Sequence, residues 1–226
     1  IVTGVQTCAL PISAQVWASL GYVRRGGVRW ENGPVDEGEL IQAGQRGDVA
    51  SFNRLVLAHQ QTVYNLAYRM LGDMDAAADV TQEVFVAAYR SLNTFHGGSF
   101  KAWLLRIATN SCYDELRRRR RHRLFSLDSM VATADEPPSL TAGPDEQALR
   151  AELADEIQRG LDGLPPEQRA VVILSDVQGF SYDDIAQATN TSLGTVKSRL
   201  SRGRAHLRDY LLRQRELLPT QYRLSR

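Results

Sequence analysis

Between Glu37 and Leu211 the apolar residues recur every three to four positions, and no stretch sustains the two-residue alternation of a half-buried strand flanked by hairpin turns. The pattern therefore predicts helices and no strands. "EGELIQAGQRGD" predicts a short helix ending near Gly47. "VASFNRLVLAHQQTVYNLAYRML" puts Phe52, Leu55, Val56, Val63, Leu66 and Ala67 on one face of a long helix stopped by Gly72. Asp73 and Asp75 open a third helix, "DMDAAADVTQEVFVAAYRSL", with Val80, Val84, Ala87 and Ala88 inward. "TFHGG" breaks the period. Ser99 then predicts an N-cap for "FKAWLLRIATNSCYDELRRRRRHR", whose inner face is Phe100, Trp103, Leu104, Ile107 and Cys112.

The period is lost over residues 124–145, "LFSLDSMVATADEPPSLTAGPD", where two tandem prolines, a Gly-Pro and scattered Ser, Thr and Asp offer no face to pack. This is read as a flexible linker. Beyond it "DEQALRAELADEIQRGLDGL" predicts a helix closed by Gly160 and Gly163. Pro166 suits the first turn of the next one, because an N–H there has no intrahelical acceptor. In "FSYDDIAQATN" the S-x-x-D pair Ser181 and Asp184 predicts a capping box. Asn190 suits a left-handed turn and Ser192 a following N-cap. The expected fold is all-α, with two small helical domains (residues 35–123 and 146–215) joined by the linker. Residues 1–34 read as a poorly ordered, non-native extension without function, and 216–226 as a tail.

Two short helices joined by a tight turn have the spacing of a helix-turn-helix. In the second, "TSLGTVKSRLSRGRAHLRDYL", the residues Val196, Leu200, Gly203, Leu207 and Leu211 fall within about 80° of the helix circumference. That seam packs inward, against Ile185 and Ala186 of the preceding helix. Lys197, Ser198, Ser201 and Arg202 project away from it, and such side chains reach phosphates and base edges in a major groove. A solvated basic face would have the same composition.

Hydrophobic residues make up 43% of the 226 and charged residues 23%, as in ordinary globular proteins. The net charge of +1 conceals segregation. From Ser126 to Ile157 there are eight Asp/Glu against one Arg, and from Gln187 to Arg226 nine Lys/Arg against two Asp/Glu. A basic end after an acidic middle points to a polyanionic partner. Cys8 and Cys112 are too few for a disulfide scaffold, and four histidines without ligand spacing predict no metal. No Gly-rich phosphate loop, G-x-S-x-G elbow or paired carboxylates stand out, so neither an enzyme nor a cofactor is expected. The first twenty residues are uncharged but lack the basic start of a signal peptide and are interrupted by Pro11, which leaves the cytoplasm as the expected compartment.

Three blocks, "DVTQEVFVAAYRSL", "FKAWLLRIATNSCYDELRRRRR" and "LPPEQRAVVILSDVQGFSYDDIAQATNTSLGTVKSRLSRGRAHLR", resemble regions two and four of bacterial sigma factors of the extracytoplasmic-function group, in order and spacing. The resemblance covers about residues 37–215. It implies a promoter-specificity subunit of RNA polymerase in a nucleoid-associated, cytoplasmic setting. By that match Asp79, Gln82 and Glu83 contact the clamp helices of the largest polymerase subunit, and the second domain meets the flap of the second largest. Phe95, His96, Arg106, Asn110, Arg117 and Arg118 fall in the −10 reader, with Arg117 to Arg121 holding duplex phosphates. Trp103 is assigned to the core. Lys197, Ser198, Ser201 and Arg202 would read the −35 element, with Thr195 and Arg199 on its backbone. The family commonly has Ala where Gly203 stands, and a helical glycine costs about 1 kcal/mol, so fraying is expected beyond it. The acidic linker would thread core polymerase toward the RNA exit path. The resemblance also implies an anti-sigma factor, and no small-molecule substrate.

Two other readings stay open at this level. One is an autonomous helix-turn-helix regulator that needs no polymerase, which would leave the "DVTQEVF" helix unexplained. The other is an RNA-binding or structural helical protein.

Overall fold

In the computed structural model, residues 36–125 and 144–214 are described; the extension, the centre of the linker and the tail lie outside them. Every described regular element is a helix. The first unit holds α1 (Glu37–Gln45), α2 (Val49–Leu71), α3 (Met74–Ser91), a 3₁₀ turn (Leu92–Thr94) and α4 (Phe100–Phe125). The second holds α5 (Pro144–Asp162), α6 (Pro166–Val172), a π turn (Ile173–Val177), α7 (Tyr182–Thr189) and α8 (Leu193–Arg213). The ends of the expected linker, 124–125 and 144–145, belong to α4 and α5.

The ends follow from local chemistry. Asp36, Asp48 and Asp73 each accept a hydrogen bond from a first-turn amide of the helix they precede. Gly72 ends α2 at φ 68°, a left-handed conformation open to a residue without Cβ. Ser99 accepts from the Ala102 amide at 3.1 Å. Ser181 accepts from the Asp184 amide and donates to its carboxylate, closing the capping box. Asn190 sits at φ 51°, ψ 48°, and Ser192 caps α8.

Two glycines depart from expectation. Gly160 lies inside α5, where an added Cβ would come within 2.6 Å of Leu207 Cδ1; it admits α8 instead of ending its own helix. At Gly203 an added Cβ would meet Val172 Cγ2 at 2.7 Å. α8 runs helical past this close contact with α6, as far as Arg213. The seam Val196, Leu200, Gly203, Leu207 and Leu211 is buried as expected, whereas α7 turns Ile185 and Ala188 fully inward and leaves Ala186 half-buried.

The two units are not separate. Their buried side chains form one continuous cluster. The C-terminal carbonyls of α2 accept hydrogen bonds from the second unit: Arg169 Nη1 to Met70 O at 2.6 Å and Gln158 Nε2 to Arg69 O at 3.2 Å.

Candidate nucleic-acid interface

The recognition helix α8 turns its seam into the protein and leaves Lys197, Ser198, Ser201 and Arg202 exposed on the opposite face. Thr195 and Arg199 are half-buried on the flank. Arg202 lies along the helix, its guanidinium 3.3 Å from both the Ser198 carbonyl and hydroxyl oxygens, which lines up the two groups expected at base edges. Arg204 is committed elsewhere, to the Asp176 carboxylate of the π turn, and Arg208 pairs with its exposed neighbour Asp209. The free positive face is therefore narrower than the arginine count suggests.

In the first unit Arg106, Asn110 and Arg117 are exposed and lie within about 40° of one another around α4, a polar stripe along one side of the helix. Arg117 pairs only with the exposed Asp114, an interaction that exchanges readily for a phosphate. The helix divides the run of five arginines. Arg118 points about 100° away, donates to Glu115 Oε2 at 2.6 Å and feels the carboxylates of Glu83 and Asp79. Arg119 bridges Glu115 and Asp73. Burial raises the Glu115 carboxyl, but the hydrogen bonds from Arg118 and Arg119 outweigh it and leave the pKa below its ordinary value. Arg118 lines a groove on the α3 side, away from the polar stripe of Arg106, Asn110 and Arg117.

That groove, about 540 Å³, is lined by Asp79, Gln82, Glu83, Val86 and Arg90 of α3 and by Glu115 and Arg118 of α4. All three expected polymerase contacts are exposed along it. Apolar floor, acidic rim and two cations make a surface suited to a basic helical partner.

Phe95 lies inside this unit. Its side chain is 9% exposed and stacks in an aromatic cluster, 5.6 Å from both Phe100 and Trp103. His96 remains exposed at the tip of the turn. Gly97 and Gly98 follow at φ 111° and 89°; nothing crowds them, and the left-handed backbone alone selects glycine. Gln45 was not anticipated. Its amide donates to Leu92 O at 3.0 Å and Phe95 O at 2.8 Å, pinning this turn to α1. A polar residue in the last turn of a short helix carries no such signal in sequence.

Family models match both halves of the molecule: Sigma-70 region 2 over residues 55–122 and Sigma-70, region 4 over residues 154–207. The ECF RNA polymerase sigma factor SigE of Mycolicibacterium smegmatis is 40% identical over 178 residues, covering 79% of this chain and 68% of its own length. SigW of Bacillus subtilis is 33% identical, covering 76% and 94%. Among solved structures, the sigma factor RpoE in complex with the anti-sigma factor NepR from Bartonella quintana aligns with TM-score 0.60 and 29% identity, over 72% of this chain and 98% of that one. CnrH in complex with the cytosolic domain of CnrY aligns at 0.56 and 28%, over 77% and 96%.

The chain belongs to the extracytoplasmic-function sigma factors of the sigma-70 family. It is a promoter-specificity subunit of RNA polymerase, and the autonomous-regulator reading is set aside. The groove and polar stripe fall within its region 2, and the exposed face of α8 within region 4. No helix among the described residues is long and apolar enough to cross a membrane.

Proposed function

We propose that this sigma factor divides promoter recognition between two outward faces and leaves all chemistry to core polymerase. Lys197, Ser198, Ser201 and Arg202 read the −35 element in the major groove, with Thr195 and Arg199 on its backbone. Arg106, Asn110 and Arg117 follow the −10 strand, with His96 at the tip of the preceding turn. Asp79, Gln82 and Glu83 dock on the clamp helices, and Arg118 joins them. The second unit meets the flap. The protein works in the cytoplasm on nucleoid DNA, takes no cofactor, and is silenced by an anti-sigma factor, as its structural neighbours are seen bound to one.

The observation that carries this reading is the segregation of exposed groups. Exposed cations and hydroxyls lie on the outer face of α8, and carboxylates line the α3 groove. In vitro transcription with core polymerase on a randomised promoter library tests it. Arg202→Ala should weaken selection at one or two upstream positions by about 1–3 kcal/mol. Equal loss on every template would overturn base readout by this helix.

A further inference from the structure

α1 reaches both flanks of the turn that carries His96. At its C-terminal end the Gln45 amide donates to Leu92 O at 3.0 Å and to Phe95 O at 2.8 Å, 47 and 50 residues along the chain. At its start Glu37 Oε1 lies 2.8 Å from His59 Nε2. The His59 ring in turn stands 5.5 Å from the ring of Phe100, the first residue of α4. Between these ends Ile41 and Gly44 are buried, and a Cβ added at Gly44 would come within 2.9 Å of Leu92 Cδ2. A short helix tied in this way is a fixed reference for the turn beside it.

The turn is closed at its base and open at its tip. Phe95 and Phe100 are buried, and their rings meet edge to face at 5.6 Å. His96, Gly97, Gly98 and Ser99 between them are all exposed. The Phe95 ring does not by itself fix where this tip points. Phe95 has extended backbone with ψ 110°, and rotation about that bond would swing its carbonyl without moving its ring. The carbonyl and the His96 N–H share one planar peptide group, so the Phe95 oxygen sets the direction in which the chain enters His96. Gln45 holds that oxygen.

Both N–H groups of the amide are engaged, one at each end of the 3₁₀ turn. Leu92 O also accepts from the Phe95 amide at 3.1 Å, which uses its second lone pair. The clip therefore fixes the two ends of the turn against each other and against α1. Two part-buried neutral hydrogen bonds are too weak to decide whether the unit folds, because Phe95, Phe100 and Trp103 already hold the base. They are strong enough to select one tip orientation among several. A tip that meets a DNA strand discriminates better when that orientation is set before binding.

We propose that Gln45 is a positioning residue for −10 recognition: through the Phe95–His96 peptide it presets the tip at which the −10 strand is read, while touching no DNA itself. The proposal rests on the two-site promoter reading above, in which His96 stands at that tip. It extends the determinants of −10 selectivity to α1, a helix remote in sequence from the polar stripe of α4.

In vitro transcription by core polymerase with the full chain, on a library randomised at both elements, reads the ratio of best to worst base at each position. Ratios taken within one reaction do not depend on how much of a variant is folded. Gln45→Met keeps the length of the side chain and removes both donors. Gln45→Glu sets a carboxylate against the two carbonyls. Each should lower the ratio at one or two −10 positions by about fivefold, the lower end of what a base contact discriminates, and leave every −35 ratio within about twofold of wild type. Wild-type −10 ratios in both variants would overturn the proposal. An equal fall at −10 and −35 positions would also overturn it, since that is the mark of a residue that only supports the fold. A wild-type chain with no −10 preference beyond that of core polymerase alone would overturn the two-site reading itself, and the proposal with it.

Discussion

Arg204 of the recognition helix grips Asp176 of the π turn through two hydrogen bonds, Nη2 to Oδ1 at 2.5 Å and Nε to Oδ2 at 2.9 Å. Both side chains are largely buried, at 21% and 14% exposed. By composition Arg204 is one more cation on a DNA-facing helix; by geometry it is a positioning residue that fixes the rotation of α8. Asp176 stands in the middle of the π turn, one helix away from the arginine it binds. Arg204→Ala should lower the stability of the second unit by about 1–3 kcal/mol, since Asp176 loses a charged donor. It should also broaden the −35 preference measured on a promoter library. Arg204→Lys should recover only part, because an ammonium cannot engage both oxygens in a planar fork.

Gly203→Ala tests close approach against helix propensity. Propensity alone favours alanine by about 1 kcal/mol. The added methyl would stand 2.7 Å from the Cγ2 of Val172, a β-branched side chain with little freedom to yield. We expect the clash to win, with a net destabilisation of about 1–3 kcal/mol in urea unfolding. Gly160→Ala should also destabilise, because the added methyl would meet Leu207 Cδ1 at 2.6 Å and the Tyr210 ring at 3.0 Å.

The division of the arginine run predicts different phenotypes for neighbours in sequence. Arg106→Ala and Arg117→Ala should each reduce the salt dependence of promoter binding by the holoenzyme by a slope of about 1. Arg118→Ala should leave that slope unchanged and weaken assembly with core polymerase. A salt slope altered equally by Arg117→Ala and Arg118→Ala would place both on DNA.

Cys112 and Tyr113 make stability fall toward alkaline pH. Burial pushes each up to about 12, from 9.0 and 10.0. Above pH 9 the unfolded chain releases protons that the folded chain retains, so stability falls as pH rises, until the folded groups themselves ionise near 12. Denaturant melts from pH 8 to 11 should show this decline, and Tyr113→Phe should flatten it. The Tyr113 hydroxyl is buried and finds no hydrogen-bond partner among the described residues, so its removal should not reduce stability at pH 7. Cys112 should resist iodoacetamide at pH 8 in the folded protein carrying Cys8→Ser.

Helix positions were legible because they depend on residues a few places apart. Asp73, Gly72, Ser99, Ser181, Asn190 and Ser192 act within one turn of chain, and the 3.6-residue period of α2 and α8 exposes their buried faces directly. The same holds for the outward face of α8 and for the acidic row on α3. The burial of Phe95 was not legible, because a loop aromatic can turn either way, and only Phe100, Trp103 and the Gln45 amide decide which. Gly160 and Gly203 were misread as a stop and a weak point, because the atoms that require them belong to helices far along the chain.

Local periodicity and capping chemistry, both short-range, were enough to set the all-helical character and the helix ends. Tertiary structure alone decided which arginines face outward, which way Phe95 turns, and that α5, α6 and the π turn close upon α2 and α4. Those outcomes depend on buried donors such as Arg169 meeting carbonyls on a distant helix, and pairing across that distance leaves no period in the order of residues.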